Sequence, residues 1–187
     1  MSLIGGIDLS ALEKNYSGVC VIEGNNTYVN KLRRTEEIIE KVKNCDIIAI
    51  DAPLFLPKNY KKITKGMPQR KCDIELKKSK IKYFPLAMKY MKILTYRGMK
   101  IKNKLEKLGI KVIETYPGAV YDISGLDRKN SKEIIKKLSN YLNIENRKFS
   151  KDEVDAITCA YVAMSFYNGK YIALGNSSEG LMIISKI

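Results

Sequence analysis

Residues 47–50 form an unbroken apolar run, and this run restricts the fold more than any other feature of the 187-residue sequence. A strand with one solvated face alternates apolar and polar residues, whereas a continuous apolar run of this length is typical of a strand buried on both faces. The run ends at Asp51-Ala52-Pro53, where the proline cannot donate a ladder hydrogen bond. The sequence therefore predicts a central strand with other elements packed on both sides of its sheet.

The segments around this strand predict an α/β fold with a mixed sheet. Strands are expected at 3–9, 17–23 and 27–32, then a helix beginning near Thr35, the buried strand, and a fifth strand at 111–114. Helices are expected at about 86–108, 131–142 and 151–167, and residues 171–174 and 181–184 predict a closing hairpin. Right-handed crossovers place strand 4 beside strand 1 and strand 5 beside strand 4, so the predicted order is 3-2-1-4-5 with helices on both faces.

The composition limits the available chemistry. Histidine is absent, which excludes a Ser-His-Asp triad, a Cys-His dyad and any histidine metal site. The four cysteines, Cys20, Cys45, Cys72 and Cys159, are widely spaced, and buried thiols of a reduced cytoplasmic protein are a simpler interpretation than distant disulfides. With no apolar stretch near the ~20 residues of a membrane helix and no secretory signal, we expect a cytoplasmic chain that does not contact a membrane.

The net charge of +14 lies in one internal segment. Residues 56–108 contain 17 Lys and Arg but only 3 Asp and Glu, whereas the remainder of the chain is balanced. Localised positive charge favours a polyanion, so we predict DNA or RNA as partner, although a solvated lysine-rich surface is the alternative. A second copy of the chain, in a homodimer, is a further possible partner. The residues predicted to contact nucleic acid are Lys61, Lys62, Lys65, Arg70 and Lys71.

Acidic residues end three of the predicted strands. Asp8, Asp51 and Glu114 follow strands 1, 4 and 5, and the carboxyl ends of adjacent parallel strands meet at the ligand-binding edge of an open α/β sheet. Asp8 could simply end a strand and Glu114 could pair with a lysine, whereas Asp51 directly follows a buried apolar run and has no packing reason to be there. Their convergence at one edge is what predicts a site.

The last long helix is expected to add two more carboxylates. Ser150 and Glu153 form a capping box, so the helix begins at Lys151 and places Asp152 and Asp155 on one face of its first turns. Asp152 could instead serve only the helix dipole. A stripe of small residues, Ala156, Ala160 and Ala163, would let this helix approach the sheet closely.

Carboxylates gathered in this way repel one another unless a cation neutralises them. Mg²⁺ or Mn²⁺ prefers such oxygen ligands, and a pair of ions roughly 3.5–4 Å apart can activate water and clamp a scissile phosphate. No protein general base is then needed, which agrees with the absence of histidine. The residues therefore predict metal-dependent phosphodiester hydrolysis within one domain, 1–187, that carries a basic and partly helical insert at about 56–108.

A series of short motifs along the chain resembles the DUF429 family, which is described as predicted nucleases of ribonuclease H-like fold. The ordered matches are Gly6-Ile7-Asp8-Leu9-Ser10, Ser17-Gly18, Ile50-Asp51-Ala52-Pro53-Leu54, Arg70-Lys71-Cys72-Asp73, Ile113-Glu114-Thr115-Tyr116-Pro117-Gly118-Ala119, Asp152-Glu153-Val154-Asp155-Ala156 and Glu179-Gly180. The resemblance implies a ribonuclease H-like three-layer fold and nuclease activity. The heavy lysine content of residues 56–108 departs from the family pattern.

The resemblance also implies roles for individual residues. It indicates Asp8, Asp51 and Asp155 as catalytic, metal-binding residues, with Asp152 and Glu114 as supporting catalytic carboxylates, and it places Arg70 and Asp73 in the site. Two rival functions stay open. One is a non-catalytic nucleic-acid-binding module of the same fold, and the other is a nucleotide phosphohydrolase, which usually needs two such domains around a cleft.

Overall fold

The computed structural model describes residues 2–187. These residues form one mixed sheet of seven strands in the order β3-β2-β1-β4-β5-β7-β6. The strands are β1 (Leu3–Asp8), β2 (Ser17–Glu23), β3 (Asn26–Leu32), β4 (Ile47–Asp51), β5 (Lys111–Thr115), β6 (Ile172–Asn176) and β7 (Gly180–Ile184). Strands β1, β4, β5 and β7 are parallel neighbours, whereas β2, β3 and β6 run antiparallel to their partners.

Helices cover both faces of the sheet. They are α1 (Thr35–Val42), α2 (Lys71–Lys78), α3 (Lys89–Glu106), α4 (Pro117–Ile123), α5 (Ser131–Leu138) and α6 (Lys151–Tyr167). Apolar residues of α1 and α3 pack with Ile48 and Ile50 on one face, and those of α2, α4, α5 and α6 pack with Ile47 and Ala49 on the other. Alternate residues of β4 thus enter different cores, which explains the unbroken apolar run.

The predicted α/β fold with helices on both faces is confirmed, and the predicted sheet order is correct but incomplete. The closing hairpin forms as β6 and β7 and joins the sheet beyond β5, through Glu114 and Met182. Two predicted helices are shorter than expected, since α3 begins at Lys89 and α5 ends at Leu138.

Helices α2 and α4 were not predicted. Helix α2 lies inside the predicted basic insert, before the helix that was expected at about 86–108. Helix α4 begins at Pro117, because proline suits the first turn of a helix, where its missing N–H costs nothing. The four cysteines are buried and free, as expected. Within residues 2–187, no helix combines the length and the apolar content that crossing a membrane requires.

Helix α6 lies directly against β1 and β2 because both strands have glycine beneath it. A Cβ atom at Gly6 would overlap with the backbone of Ala156 and Ala160, and one at Gly18 would overlap with the carbonyl group of Asp152. The predicted small-residue stripe on α6 therefore meets small residues in the sheet. This close approach brings the first turns of α6 over the ends of β1 and β2.

Gly6→Ala is expected to destabilise the fold strongly, because the backbone of α6 would have to move away from β1. The cost should reach or exceed the upper end of the roughly 1–3 kcal/mol typical of overpacking. Gly5→Ala is the matched control, since a Cβ at Gly5 meets mainly the Ile48 side chain, at 2.9 Å, and not the backbone of a helix. Urea unfolding of both variants measures the difference, and equal losses would show that close helix approach does not limit this position.

Candidate metal and catalytic site

Three side chains of adjacent parallel strands meet on the face of the sheet that α6 covers. Asp8 of β1 is in register with Asp51 of β4, and Asp51 is in register with Thr115 of β5. In-register residues of parallel strands point to the same face. Asp8 and Asp51 therefore meet as the sequence predicted, and a threonine occupies the third position.

The first turns of α6 bring two further carboxylates to this edge, in different environments. The side chain of Asp155 is 15% exposed, and its Oδ1 accepts a hydrogen bond from the Tyr121 hydroxyl at 2.6 Å. The side chain of Asp152 is 43% exposed and lies 3.9 Å from the Lys31 ammonium. Asp155 is thus held in place at the site, whereas Asp152 lies at its rim.

The carboxylates at this edge make their own ionisation unfavourable. Burial raises the pKa of Asp8 well above its ordinary value, and the nearby charges of Asp51 and Asp155 raise it further. Burial likewise raises the pKa of Asp51, and Asp155 and Glu114 add to the effect. The pKa of Asp155 is raised by burial, although Lys151 opposes the shift. This cluster would become fully ionised most readily beside a cation.

A cleft of about 310 Å³ opens at this edge, and Asp8, Asp51 and Thr115 line it. The Thr115 hydroxyl is buried without a hydrogen-bond partner in the structure of residues 2–187. An unpaired buried hydroxyl is unfavourable unless a ligand or water satisfies it. Oxygen atoms of carboxylates and a hydroxyl are the donors that hard divalent cations prefer, so the residues present fit Mg²⁺ or Mn²⁺.

The side chains are not arranged around a single ion position. Within residues 2–187, no three Asp, Glu or Cys side chains already enclose one. The Lys151 ammonium contacts the Asp155 carboxylate and lies 4.5 Å from the centre of the Tyr121 ring. Lys151 and Tyr121 both contact the Oδ1 atom of Asp155, so a divalent ion could be bound through Oδ2 without displacing the lysine.

Glu114 belongs to a different arrangement from the one the sequence predicted. It is in register with Ile50, one residue before Thr115, so it points to the opposite face from Asp8 and Asp51. Both of its carboxylate oxygens accept hydrogen bonds from Arg70 at 2.9 Å, and one also accepts the Leu54 N–H at 2.7 Å. Burial raises the pKa of Glu114 to about 7, against the lowering effect of Arg70.

The predicted contact between Arg70 and nucleic acid is wrong, because Arg70 lies in the interior. Its residue exposure is 2%, and the part of the guanidinium that does not bind Glu114 donates to the Asp73 carboxylate at 2.8 and 2.9 Å. The ring of Phe55 packs on it, 4.7 Å from the guanidinium carbon. With both sides paired, Arg70 has no free donor face for a phosphate, and its role is to hold Glu114 and Asp73 beside the cleft.

The lysines predicted to contact nucleic acid are exposed. Lys61, Lys62 and Lys65 lie in the loop before α2, and Lys71 is its first residue. The structure thus leaves these four available to solvent, unlike Arg70.

Three residues of the site were not predicted, namely Thr115, Tyr121 and Lys151. The strand around Thr115 was predicted to end one residue early, and Tyr121 lies on α4, which was itself missed. Lys151 could have been found, because it precedes Asp155 by four residues on one helix face.

Comparison with solved structures shows which fold this is. The structure resembles RuvC from Thermus thermophilus in complex with a Holliday junction substrate, with a TM-score of 0.50 and 12% identity over 90% of this chain and 96% of that one. A second Thermus thermophilus RuvC structure matches with a TM-score of 0.47 and 11% identity, over 96% of this chain and 99% of the other. The likeness to the junction-bound RuvC structure confirms the expected ribonuclease H-like fold.

Comparison at the level of sequence gives the family. No curated protein sequence matches this chain. The family described as "Protein of unknown function (DUF429)" matches residues 6–179, a span that includes every carboxylate of the site. The chain therefore belongs to the DUF429 family.

Proposed function

We propose that this chain is a nuclease that hydrolyses phosphodiester bonds with Mg²⁺ or Mn²⁺ held by Asp8, Asp51 and Asp155. The observation that carries the proposal is the register of Asp8 and Asp51, whose carboxylates share one cleft with the unpartnered hydroxyl of Thr115. A divalent ion bound there would supply the positive charge that stabilises a reacting phosphate. Without histidine, this chain has no imidazole base to compete with that assignment.

The remaining residues of the site would position the three ligands. The Tyr121 hydroxyl orients Asp155 by donating a hydrogen bond to its Oδ1. Glu114 accepts the Leu54 N–H and thereby fixes the segment that follows Asp51. Asp152 and Glu114 would act as supporting carboxylates, Asp152 at the rim of the site and Glu114 in the wall of the cleft.

The basic segment would attract the substrate. Lys61, Lys62, Lys65 and Lys71 are exposed on a chain with a net charge of +14, so they can neutralise backbone phosphates and release counterions. The similar RuvC structure contains a Holliday junction. Branched DNA is therefore included with linear DNA and RNA among the substrates to be tested.

Metal-supported cleavage of nucleic acid tests this function. Labelled single strands, duplexes and four-way junctions should be cleaved under single-turnover conditions with Mn²⁺ or Mg²⁺, and not with EDTA. Asp8→Asn should reduce the rate on the order of a thousandfold, as expected when a group that stabilises transition-state charge is lost.

Two other outcomes would replace the proposal. Salt-dependent binding with no cleavage of any substrate would indicate a non-catalytic nucleic-acid-binding module. ATP hydrolysis that is lost in Asp8→Asn, without cleavage of nucleic acid, would indicate a nucleotide phosphohydrolase that uses the same carboxylates.

A further inference from the structure

A second groove, of about 640 Å³, lies next to the carboxylate cleft. We call it the aromatic groove. It shares Tyr83, Phe84 and Tyr116 with the cleft, so the two spaces are neighbours along one surface. Tyr116 directly follows Thr115 of the site. A molecule lying in the groove therefore reaches the edge where the carboxylates are found.

Positive charge lines the aromatic groove without acidic residues. Its cations are Lys77, Lys80, Lys82 and Arg128, and no Asp or Glu side chain lies in its wall. The ion pairs formed within residues 2–187 include none from the three lysines. The lysine charges are thus free to bind an anion, and three of them in one groove provide more positive charge than a single phosphate needs.

The groove also presents an exposed aromatic ring on a braced wall. Phe84 is 63% exposed, which leaves its ring accessible to a stacking partner. The Tyr116 hydroxyl beside it donates to the Lys82 carbonyl at 2.8 Å and accepts from Arg128 at 2.7 Å. Arg128 is itself bound to both carboxylate oxygens of Asp122. The wall is therefore held by hydrogen bonds, while Phe84 and the lysines remain available.

Lys80 occupies a backbone position that favours glycine. Its φ is +59°, in the left-handed region, and it directly follows Ser79, the C-cap of α2. Helices commonly end on such a residue, and glycine adopts it without the clash that a Cβ causes. A lysine at this position therefore places a charge in the groove at the expense of backbone strain.

We propose that the aromatic groove binds an unpaired, single-stranded segment of nucleic acid and leads it toward the carboxylate cleft. Proteins that bind single strands combine a positively charged groove with aromatic rings on which bases stack, and Phe84 with the three lysines provides this combination. A duplex keeps its base faces covered, so only unpaired bases can use Phe84. The inference rests on the proposed nuclease function and specifies the form of its substrate.

Binding in EDTA tests the groove separately from catalysis. Fluorescence anisotropy with a labelled oligothymidylate of about 12 nucleotides should show tighter binding than with a duplex of equal length. Phe84→Ala should weaken single-strand binding about tenfold or more, whereas Phe84→Tyr, which keeps a stacking ring, should restore most of it. Unchanged affinity in Phe84→Ala, or duplex binding as tight as single-strand binding, would overturn the proposal.

Two lysines provide a comparison of equal charge. Lys80→Gln should lower the slope of log affinity against log salt by about 0.7, the value for one phosphate contact on a single strand. Lys78→Gln removes the same charge two residues away, outside the groove wall, and should leave the slope unchanged. Equal effects of the two variants would mean that only the overall charge matters, and the groove would then have no specific role.

Lys80→Gly separates binding from folding. It removes the groove charge and also relieves the left-handed backbone, so it should raise the melting temperature while weakening oligothymidylate binding. Wild-type affinity in this variant would contradict the groove. If the binding pattern is as described but Mn²⁺ supports no cleavage, the groove stands and the proposed nuclease function fails. If Mn²⁺ supports cleavage but Phe84→Ala leaves single-strand binding unchanged, the nuclease function stands and the groove proposal fails.

Discussion

Asp155→Asn should abolish metal-supported cleavage, whereas Asp152→Asn should retain a measurable fraction. Asp155 is 15% exposed, bound by the Tyr121 hydroxyl, and close enough to Asp8 and Asp51 to raise the pKa of both. Asp152 is 43% exposed and lies near Lys31 at the entrance. Removing the inner carboxylate takes away a proposed metal ligand, and removing the outer one changes mainly the surface charge.

Single-turnover cleavage of labelled oligonucleotides and branched junctions with Mn²⁺ measures this difference. We expect a loss on the order of a thousandfold in Asp155→Asn and about tenfold or less in Asp152→Asn. Tyr121→Phe is the matched control for the position of Asp155, because it removes only the hydroxyl that orients this carboxylate. Its cleavage rate should lie between those of Asp155→Asn and Asp152→Asn. Full activity in Asp155→Asn would remove this residue from the site and would contradict the nuclease proposal as well.

Asp51→Asn should stabilise the metal-free protein at neutral pH and remove its stabilisation by Mn²⁺. Burial, with the charges of Asp155 and Glu114, raises the pKa of Asp51 in the folded state above its unfolded value of 3.8. The folded protein therefore holds a proton here that the unfolded chain releases. This bound proton adds to the free energy of unfolding below the pKa of Asp51 in the unfolded chain, and the contribution is lost as pH rises through its pKa in the folded protein. Asparagine has no such proton to lose, so the stability of Asp51→Asn should decline less as pH rises.

Thermal unfolding from about pH 4 to pH 8, with EDTA or with Mn²⁺, provides the measurement. In EDTA near neutral pH, Asp51→Asn should melt a few degrees above the wild type, at about 2–4 °C per kcal/mol for a chain of this size. Mn²⁺ should raise the melting temperature of the wild type and not that of the variant. Asp46→Asn, at the opposite end of β4, should leave the response to Mn²⁺ unchanged. A variant that is less stable than the wild type throughout, and still stabilised by Mn²⁺, would contradict the site.

Local sequence patterns were sufficient for the order of five of the strands and for part of the site. The apolar run before Asp51 and the strand pattern before Asp8 place two acids at the ends of parallel neighbours, which the observed register confirms. The capping box at Ser150 sets the start of α6, and its alanine stripe predicts close contact with the sheet. These properties depend on residues near one another in the chain, and for that reason the sequence shows them.

Glu114 shows what a local pattern cannot decide. Side chains alternate along a strand, so a shift of one residue moves a carboxylate to the other face. Strand β5 ends at Thr115, one residue beyond the predicted end, and this single position separates Glu114 from the Asp8 and Asp51 carboxylates. The error in the strand boundary thus became an error in the composition of the site.

The sequence by itself determined the α/β fold, the pairing of Asp8 with Asp51, and the concentration of positive charge between residues 56 and 108. Only the tertiary structure decided which of those charges are available, because burial depends on residues that are distant in the chain. Arg70 is enclosed by Asp73 and by Glu114, which lies 44 residues away, whereas Lys80 remains exposed beside Phe84. A count of charges treats these two cations alike. The long-range packing of β5 against the segment before α2 gives Arg70 a structural role, and Lys80 stays free to bind a ligand.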